Sequence, residues 1–215
     1  TDKRTLLAMS RVPGERFVEL GAGAASEQNG LFDADRVHDL HETVHVGLGP
    51  GSRMGVDING EAVRKLNAGE APVDEPSLAE TVTKAGRRLR ASTNPAEAVA
   101  TDASFFIVPS PSLPDGSFSN EFLMRALAPI AQAVRKAKKK NHIFIVSSTT
   151  TPGACREVII PMLEKELGGK CGKDFSFCYN PEFIAIGDVV RGLLAPDLVL
   201  IGESDPRAGD LLEKL

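Results

Sequence analysis

Short apolar runs alternate with amphipathic stretches along most of this chain. Residues 54–58, 89–93, 104–108, 142–147, 175–179 and 198–201 read as strands, the run Ser104-Phe105-Phe106-Ile107-Val108 most clearly, by its aromatic and β-branched content. Between them lie helical patterns at 61–67, 78–85, 95–99, 120–140, 155–167 and 188–194, with the start of another at 210–215. The clearest spans 120–140, where Phe122, Ala126, Ile130, Ala133 and Ala137 recur every three or four residues and Leu123, Leu127 and Val134 widen the stripe. Ser77 stands where it can cap the helix at 78–85, Gly168-Gly169 ends the one at 155–167, and Pro161 inside that helix predicts a kink. Strands alternating with helices predict an α/β fold, a doubly wound and mostly parallel sheet covered on both faces. Residues 1–43 fit this rhythm poorly and are set apart from 44–215; their one good strand candidate is 16–20.

Composition changes this picture little. The chain has 215 residues, 42% hydrophobic and 25% charged, as in ordinary globular proteins. A net charge of -4 asks for neither nucleic acid nor a membrane. No apolar run approaches the ~20 residues that span a bilayer, and the first residues lack the apolar core of a signal peptide, so the cytoplasm is the expected location. The three cysteines, Cys155, Cys171 and Cys178, form no CxxC pair and read as reduced structural thiols. His38, His41 and His45 have helical spacing without acidic or thiol companions, so they read as a solvated face and no metal site is expected. The basic run Arg135, Lys136, Lys138, Lys139 and Lys140 reads as cations complementing a helix C-terminus rather than as an anion patch.

Candidate chemistry sits where polar clusters directly follow strands. Ser148-Thr149-Thr150-Thr151-Pro152-Gly153 follows the strand at 142–147, and Asn180-Pro181-Glu182-Phe183 follows that at 175–179. Ligands bind at the carboxyl ends of strands in open parallel sheets. A hydroxyl at Thr149 and a carboxylate at Glu182 are therefore candidates to hold a water or a substrate hydroxyl between them. The plainer alternatives are that Thr149 caps the helix beginning near Pro152 and that Glu182 pairs with a neighbour on a surface loop. Asp57 closes another strand with an acid.

From Val44 onward these pieces resemble, in order, the N-terminal, NAD-binding half of the nucleotide-sugar 6-dehydrogenases, the UDP-glucose, GDP-mannose and UDP-N-acetylmannosamine enzymes. The matching residues are Val46-Gly47-Leu48-Gly49, Gly55-Val56-Asp57-Ile58, Leu66-Asn67-Ala68-Gly69 with Glu75-Pro76, Val108-Pro109-Ser110-Pro111, Ser148-Thr149 with Pro152-Gly153, Asn180-Pro181-Glu182-Phe183 with Gly187, and Pro196-Asp197 with Ile201-Gly202. The resemblance implies a Rossmann-like fold and an oxidoreductase of polysaccharide biosynthesis that oxidises the C6 hydroxyl of a sugar nucleotide to a carboxylate with two NAD+. It puts catalytic roles on Thr149 and Glu182, the adenosine ribose on Asp57, and the dinucleotide along Gly47, Gly49, Pro109, Ser110 and Thr149. Phe183 after Asn-Pro-Glu leans towards the UDP-glucose and GDP-mannose members, UDP-glucose first. The family forms homo-oligomers through a central helix that this chain does not reach.

Three departures qualify the resemblance. Asp57 arrives eight residues after Gly49, where a dinucleotide fold needs a whole helix between the glycine loop and the acid, about 20 residues. The first βαβ unit is thus expected to be incomplete, without the helix whose N-terminus holds the pyrophosphate. A second glycine-rich turn, Gly21-Ala22-Gly23, follows the strand candidate at 16–20; it offers a stand-in first strand, and it also resembles the first motif of S-adenosylmethionine methyltransferases. Next, the family's nucleophilic cysteine, with a lysine and an asparagine, belongs to a C-terminal half that this chain does not include, so alone it is not expected to complete the oxidation. Last, Ile186 and Ala154 stand where relatives often carry glutamate and threonine. Three readings remain open: the cofactor half of a nucleotide-sugar dehydrogenase, a relative that keeps the sheet as a scaffold without cofactor, and an S-adenosylmethionine-binding domain.

Overall fold

A computed structural model of the chain describes residues 17–21, 53–183 and 187–213. Among them the chain runs β1 (Phe17–Gly21), β2 (Arg53–Val56), α1 (Gly60–Asn67), α2 (Leu78–Ala85), β3 (Leu89–Ser92), β4 (Ala103–Phe106), α3 (Glu121–Lys136), β5 (Ile143–Val146), α4 (Ile160–Leu167), β6 (Ser176–Tyr179), α5 (Val189–Leu194), β7 (Leu198–Glu203) and α6 (Pro206–Leu212). Strands β4, β5 and β6 are parallel neighbours, Phe106 opposite Val146 and Val146 opposite Tyr179. Strand β7 joins β6 antiparallel, and β1 joins the outer edge of β7 antiparallel. Strands β2 and β3 pair in parallel as a second sheet.

Period-two alternation assigns each sheet side chain to a face. Phe106, Phe144, Val146 and Phe177 pack with Leu127, Ile130 and Val134 of α3 and Leu163 of α4. Ala103, Ile143, Ile145, Cys178 and Ile201 pack with Ala208 and Leu212 of α6. A further cluster joins Leu66 of α1, Leu78 and Val82 of α2, Ala91 of β3 and Val190 of α5, with Phe105 of β4 against it. Val56 of β2 belongs to the first of these cores, so the two sheets share their packing. The fold is the doubly wound, mostly parallel α/β arrangement that the alternation predicts.

Several local expectations need correction. The strand expected at 16–20 forms at Phe17–Gly21, but antiparallel on β7, so it does not serve as the first strand of a nucleotide-binding unit beside β2. Ser77 does not cap α2 with its hydroxyl. Its left-handed backbone (φ 66°) turns the side chain aside, and its carbonyl instead accepts from the Thr81 N–H and hydroxyl. The final helix begins at Pro206 rather than at 210, because Asp205 accepts from the Ala208 N–H and Pro206 tolerates a first-turn position without an N–H. A π-helical turn over Cys155–Ile159 directly precedes α4, whose first turn carries Pro161, and such turns and prolines are both places where helices bend. The basic run is engaged locally: Lys139 Nζ donates to the Val99 and Thr101 carbonyls, Lys140 pairs with Asp174, and Arg135 donates to the Glu166 carbonyl.

Asn67, at the last position of α1, makes two bonds to one residue of β3. Its Nδ2 donates to the Ala91 carbonyl (2.9 Å) and its Oδ1 accepts from the Ala91 N–H (2.8 Å), so one side chain stands in for a neighbouring strand. Asn67→Ala leaves both backbone groups to water or to each other's loss and should cost about 2 kcal/mol, read as a lower urea midpoint at unchanged slope.

Candidate active site

The sequence candidates fall at strand ends. Pro109 and Ser110 follow β4, Thr149 follows β5 and Glu182 follows β6, three adjacent parallel strands whose axes lie roughly 5 Å apart. Asp57 follows β2. Gly47, Gly49 and Ile186 lie outside the described residues, as do His38, His41 and His45.

Ser148 locks the first part of this edge. Its Oγ accepts from the Val108 N–H at 2.7 Å and donates to the Phe106 carbonyl, which also accepts from the Ser147 and Ser148 N–H groups. The loop after β4 therefore leaves the sheet at a fixed angle. Its far limb is held by Thr151, whose hydroxyl accepts from the Phe118 N–H at 3.0 Å. Thr149 stands exposed between these two anchors, while Ser147 and Ser148 are buried. Thr149 makes no cap to the following helix, whose first residue, Ala154, donates its N–H to the Thr151 carbonyl. Gly153 has φ 92°, a backbone conformation that glycine adopts readily and residues with a Cβ rarely do.

Asn180 fixes the entry to the next loop. Its N–H donates to the Val146 carbonyl and its Nδ2 to the Leu200 carbonyl, each at 2.9 Å. Glu182 follows, half-buried, with Phe183 at 54% exposure beside it. At β2, Asp57 is 1% exposed and its Oδ1 accepts from the Asn59 N–H at 2.6 Å. Asn59 in turn caps α1, accepting from the Glu61 and Ala62 N–H groups. Ile58, between them, is 70% exposed.

This donor set suits a dinucleotide. An acid held at a strand end by the following turn presents acceptors for vicinal ribose hydroxyls. The buried Ser147 hydroxyl at the carboxyl end of β5 has no hydrogen-bond partner among the described residues. Burial pushes the Cys178 thiol up to about 12 and raises Cys171, and Cys155 is half-buried with its Sγ 3.8 Å from the Thr150 hydroxyl. Among the described residues no group of three or more His, Cys, Asp or Glu side chains is placed to hold a metal, and no helix is long and apolar enough to cross a membrane.

Sequence reasoning singled out Asp57, Thr149 and Glu182 as candidates and assigned no work to Ser148, Thr151, Asn59, Asn180 or Glu75. For Ser148, Thr151, Asn59 and Asn180 the signal was their place beside a candidate within a short motif; Glu75 stands apart from every candidate in the sequence.

Comparison with known proteins identifies a family. Residues 51–215 match the family model described as the UDP-glucose/GDP-mannose dehydrogenase family, NAD binding domain. The UDP-glucose 6-dehydrogenase AglM of Haloferax volcanii is 36% identical over 163 residues, covering 75% of this chain and 38% of that protein. The GDP-mannose 6-dehydrogenase of Pseudomonas syringae pv. tomato is also 36% identical, over 165 residues, covering 75% of this chain and 37% of that protein. A crystallographic ternary complex of GDP-mannose dehydrogenase from Pseudomonas aeruginosa superposes with a TM-score of 0.71 at 32% identity, over 75% of this chain and 37% of that one. The chain thus spans well under half the length of the relatives it matches. With its acid-ended second strand, its polar clusters at three neighbouring strand ends and this match over most of its length, the chain belongs to the UDP-glucose/GDP-mannose dehydrogenase family, as an NAD-binding domain of that family.

Proposed function

We propose that the chain is the cofactor-binding and proton-handling part of a nucleotide-sugar 6-dehydrogenase, an enzyme that converts a sugar C6 hydroxyl to a carboxylate and needs a further catalytic part to do so. The observation that carries this reading is the succession of Thr149 and Glu182 at the ends of the adjacent parallel strands β5 and β6, with Asp57 buried at the end of β2. NAD+, when bound, supplies the hydride acceptor. Asp57 would accept hydrogen bonds from the adenosine ribose, and Pro109 and Ser110 would border the dinucleotide; Gly47 and Gly49, which the resemblance also assigns to it, lie outside the described residues. Glu182 takes a proton from the C6 oxygen or from a water, and the Thr149 hydroxyl holds that oxygen in place. Relatives acting on UDP-glucose and on GDP-mannose are equally similar to this chain, which supports a nucleoside-diphosphate hexose as the substrate class. Asn-Pro-Glu-Phe leans towards UDP-glucose or GDP-mannose over UDP-N-acetylmannosamine, and UDP-glucose is the first to test.

Calorimetric titration of the folded chain with NAD+, using S-adenosylmethionine as the control, tests the reading. Binding of NAD+ and not of the control is the expected result. No heat with NAD+ would overturn it in favour of a scaffold, and preference for the control would favour a methyl-donor site. Asp57→Asn keeps the bond to the Asn59 N–H but loses the charge. It should weaken NAD+ binding about tenfold to a hundredfold with little change in the thermal midpoint.

A further inference from the structure

Glu75 lies in the loop between α1 and α2, away from the strand ends, yet it is 7% exposed. Burying a carboxylate is costly unless its oxygens are hydrogen-bonded. Among the described residues no cation pairs with it; both its oxygens are taken by backbone N–H groups more than a hundred residues away. Oε2 accepts from Gly187 at 3.2 Å and Oε1 from Val189 at 2.7 Å. Bonds from a charged acceptor to backbone donors are the strong kind, and two on one carboxylate fix both distance and orientation.

Both ends of this tie hold backbone that ordinary residues avoid. Gly187 has φ 86°, and Ser77, two residues after Glu75, has φ 66°. A non-glycine residue keeps a left-handed backbone only where its surroundings over-determine it. Glu75 supplies such a constraint: its carbonyl accepts from the Leu78 N–H while its side chain holds the distant segment.

The tie matters because of what precedes Gly187 in the chain. Asn180 is pinned to β5 and β7 through the Val146 and Leu200 carbonyls. Glu182 lies between that post and the one made by Glu75. We infer that Glu75 is a positioning residue for Glu182: its buried carboxylate anchors the backbone of Gly187 and Val189, five and seven residues beyond Glu182 in the chain. The inference rests on the proposed role of Glu182 in proton handling.

The test uses the isotopically labelled chain and NMR. In Glu75→Gln the amide offers one acceptor and turns its NH2 towards the second backbone donor. Hydrogen-exchange protection of Gly187 and Val189 should fall about tenfold or more, and the titration midpoint of the Glu182 Cδ resonance should move by roughly half a pH unit or more. A folded variant whose two amides lose protection while the Glu182 resonance and midpoint stay unchanged would overturn the proposal and leave Glu75 with a structural role. Should the variant not fold, the unmodified chain still decides. There the Glu182 resonance should show a second inflection at the midpoint read from the Glu75 Cδ resonance, and a single-step curve overturns the proposal. These readouts need no nucleotide. An NAD+ titration without heat would therefore overturn the functional reading while leaving the linkage between the two carboxylates measured in its own right.

Discussion

Phe144→Ala is expected to lower the unfolding free energy by about 4 kcal/mol. The ring is 0% exposed and sits on β5, between β4 and β6. It stacks on Phe106 with centroids 6.0 Å apart and meets Phe175 edge-on at 5.8 Å. It also meets the His142 ring in a T-shaped pair with centroids 5.0 Å apart. Truncation thus removes the transfer free energy of a whole buried ring, forfeits aromatic pairs worth about 1 kcal/mol each, and leaves a cavity bounded by other rigid rings. Strands on both sides prevent collapse of the space. Since domains of this kind are stable by only about 5–15 kcal/mol, the variant should sit close to the unfolding margin. Urea titration at neutral pH reads the change as a lower midpoint at constant slope. Phe144→Leu, which refills most of the volume, should cost about 1.5 kcal/mol. Equal losses for the two variants would mean that ring shape, rather than lost volume, sets the cost.

The alternation of strands and helices was legible because burial on both faces writes continuous apolar runs and burial on one face writes helical stripes. Helix 78–85 was readable to the residue for that reason. Pairing was less legible. Nothing local in Phe17–Gly21 says that it will pair antiparallel with β7, because the partner lies some 180 residues away. The same limit hid the side chains that lock the site. Asn67 bonds Ala91 across 24 residues and Glu75 bonds Val189 across 114, separations that leave no periodic trace. Asp57, Thr149 and Glu182 stood out because each directly follows an apolar strand. Ser148 stands beside Thr149 in the same cluster, and only the structure distinguishes a clamp on Val108 from a hydroxyl facing outward. Pro161 forecast a disturbance in its helix, and a π-helical turn over Cys155–Ile159 lies directly before it.

Stability should also fall steeply in mild acid, and His142 is the reason. Its ring is 0% exposed, with Nε2 2.9 Å from the equally buried Ser104 hydroxyl. Burial first, and the nearby Lys139 charge second, bring its pKa down from 6.5 to about 4; the Thr101 carbonyl and Asp102 oppose this without reversing it. A histidine with a depressed folded pKa stays neutral in the native state while the unfolded chain takes up the proton. Its contribution is therefore fully present above about pH 6.5, declines as pH falls, and is gone near pH 4, a total of about 3 kcal/mol. Between pH 7 and pH 5 this group alone should remove about 2 kcal/mol. The carboxylates with lowered pKa values, among them Glu164, Asp174 and Asp188, lose their ion-pair and hydrogen-bond support only at more acid pH, so they do not account for a loss in that window. His142→Gln retains a polar partner for Ser104 and cannot titrate. Urea midpoints for the variant should stay nearly level from pH 7 to pH 5 while those of the unmodified chain fall; parallel curves would show that some other group carries the acid sensitivity. Because the Phe144 ring helps exclude water from His142, Phe144→Ala should raise the histidine's folded pKa and flatten the same curve. The two substitutions should then be non-additive at pH 5 and closer to additive at pH 7.5, where the histidine is neutral in both states.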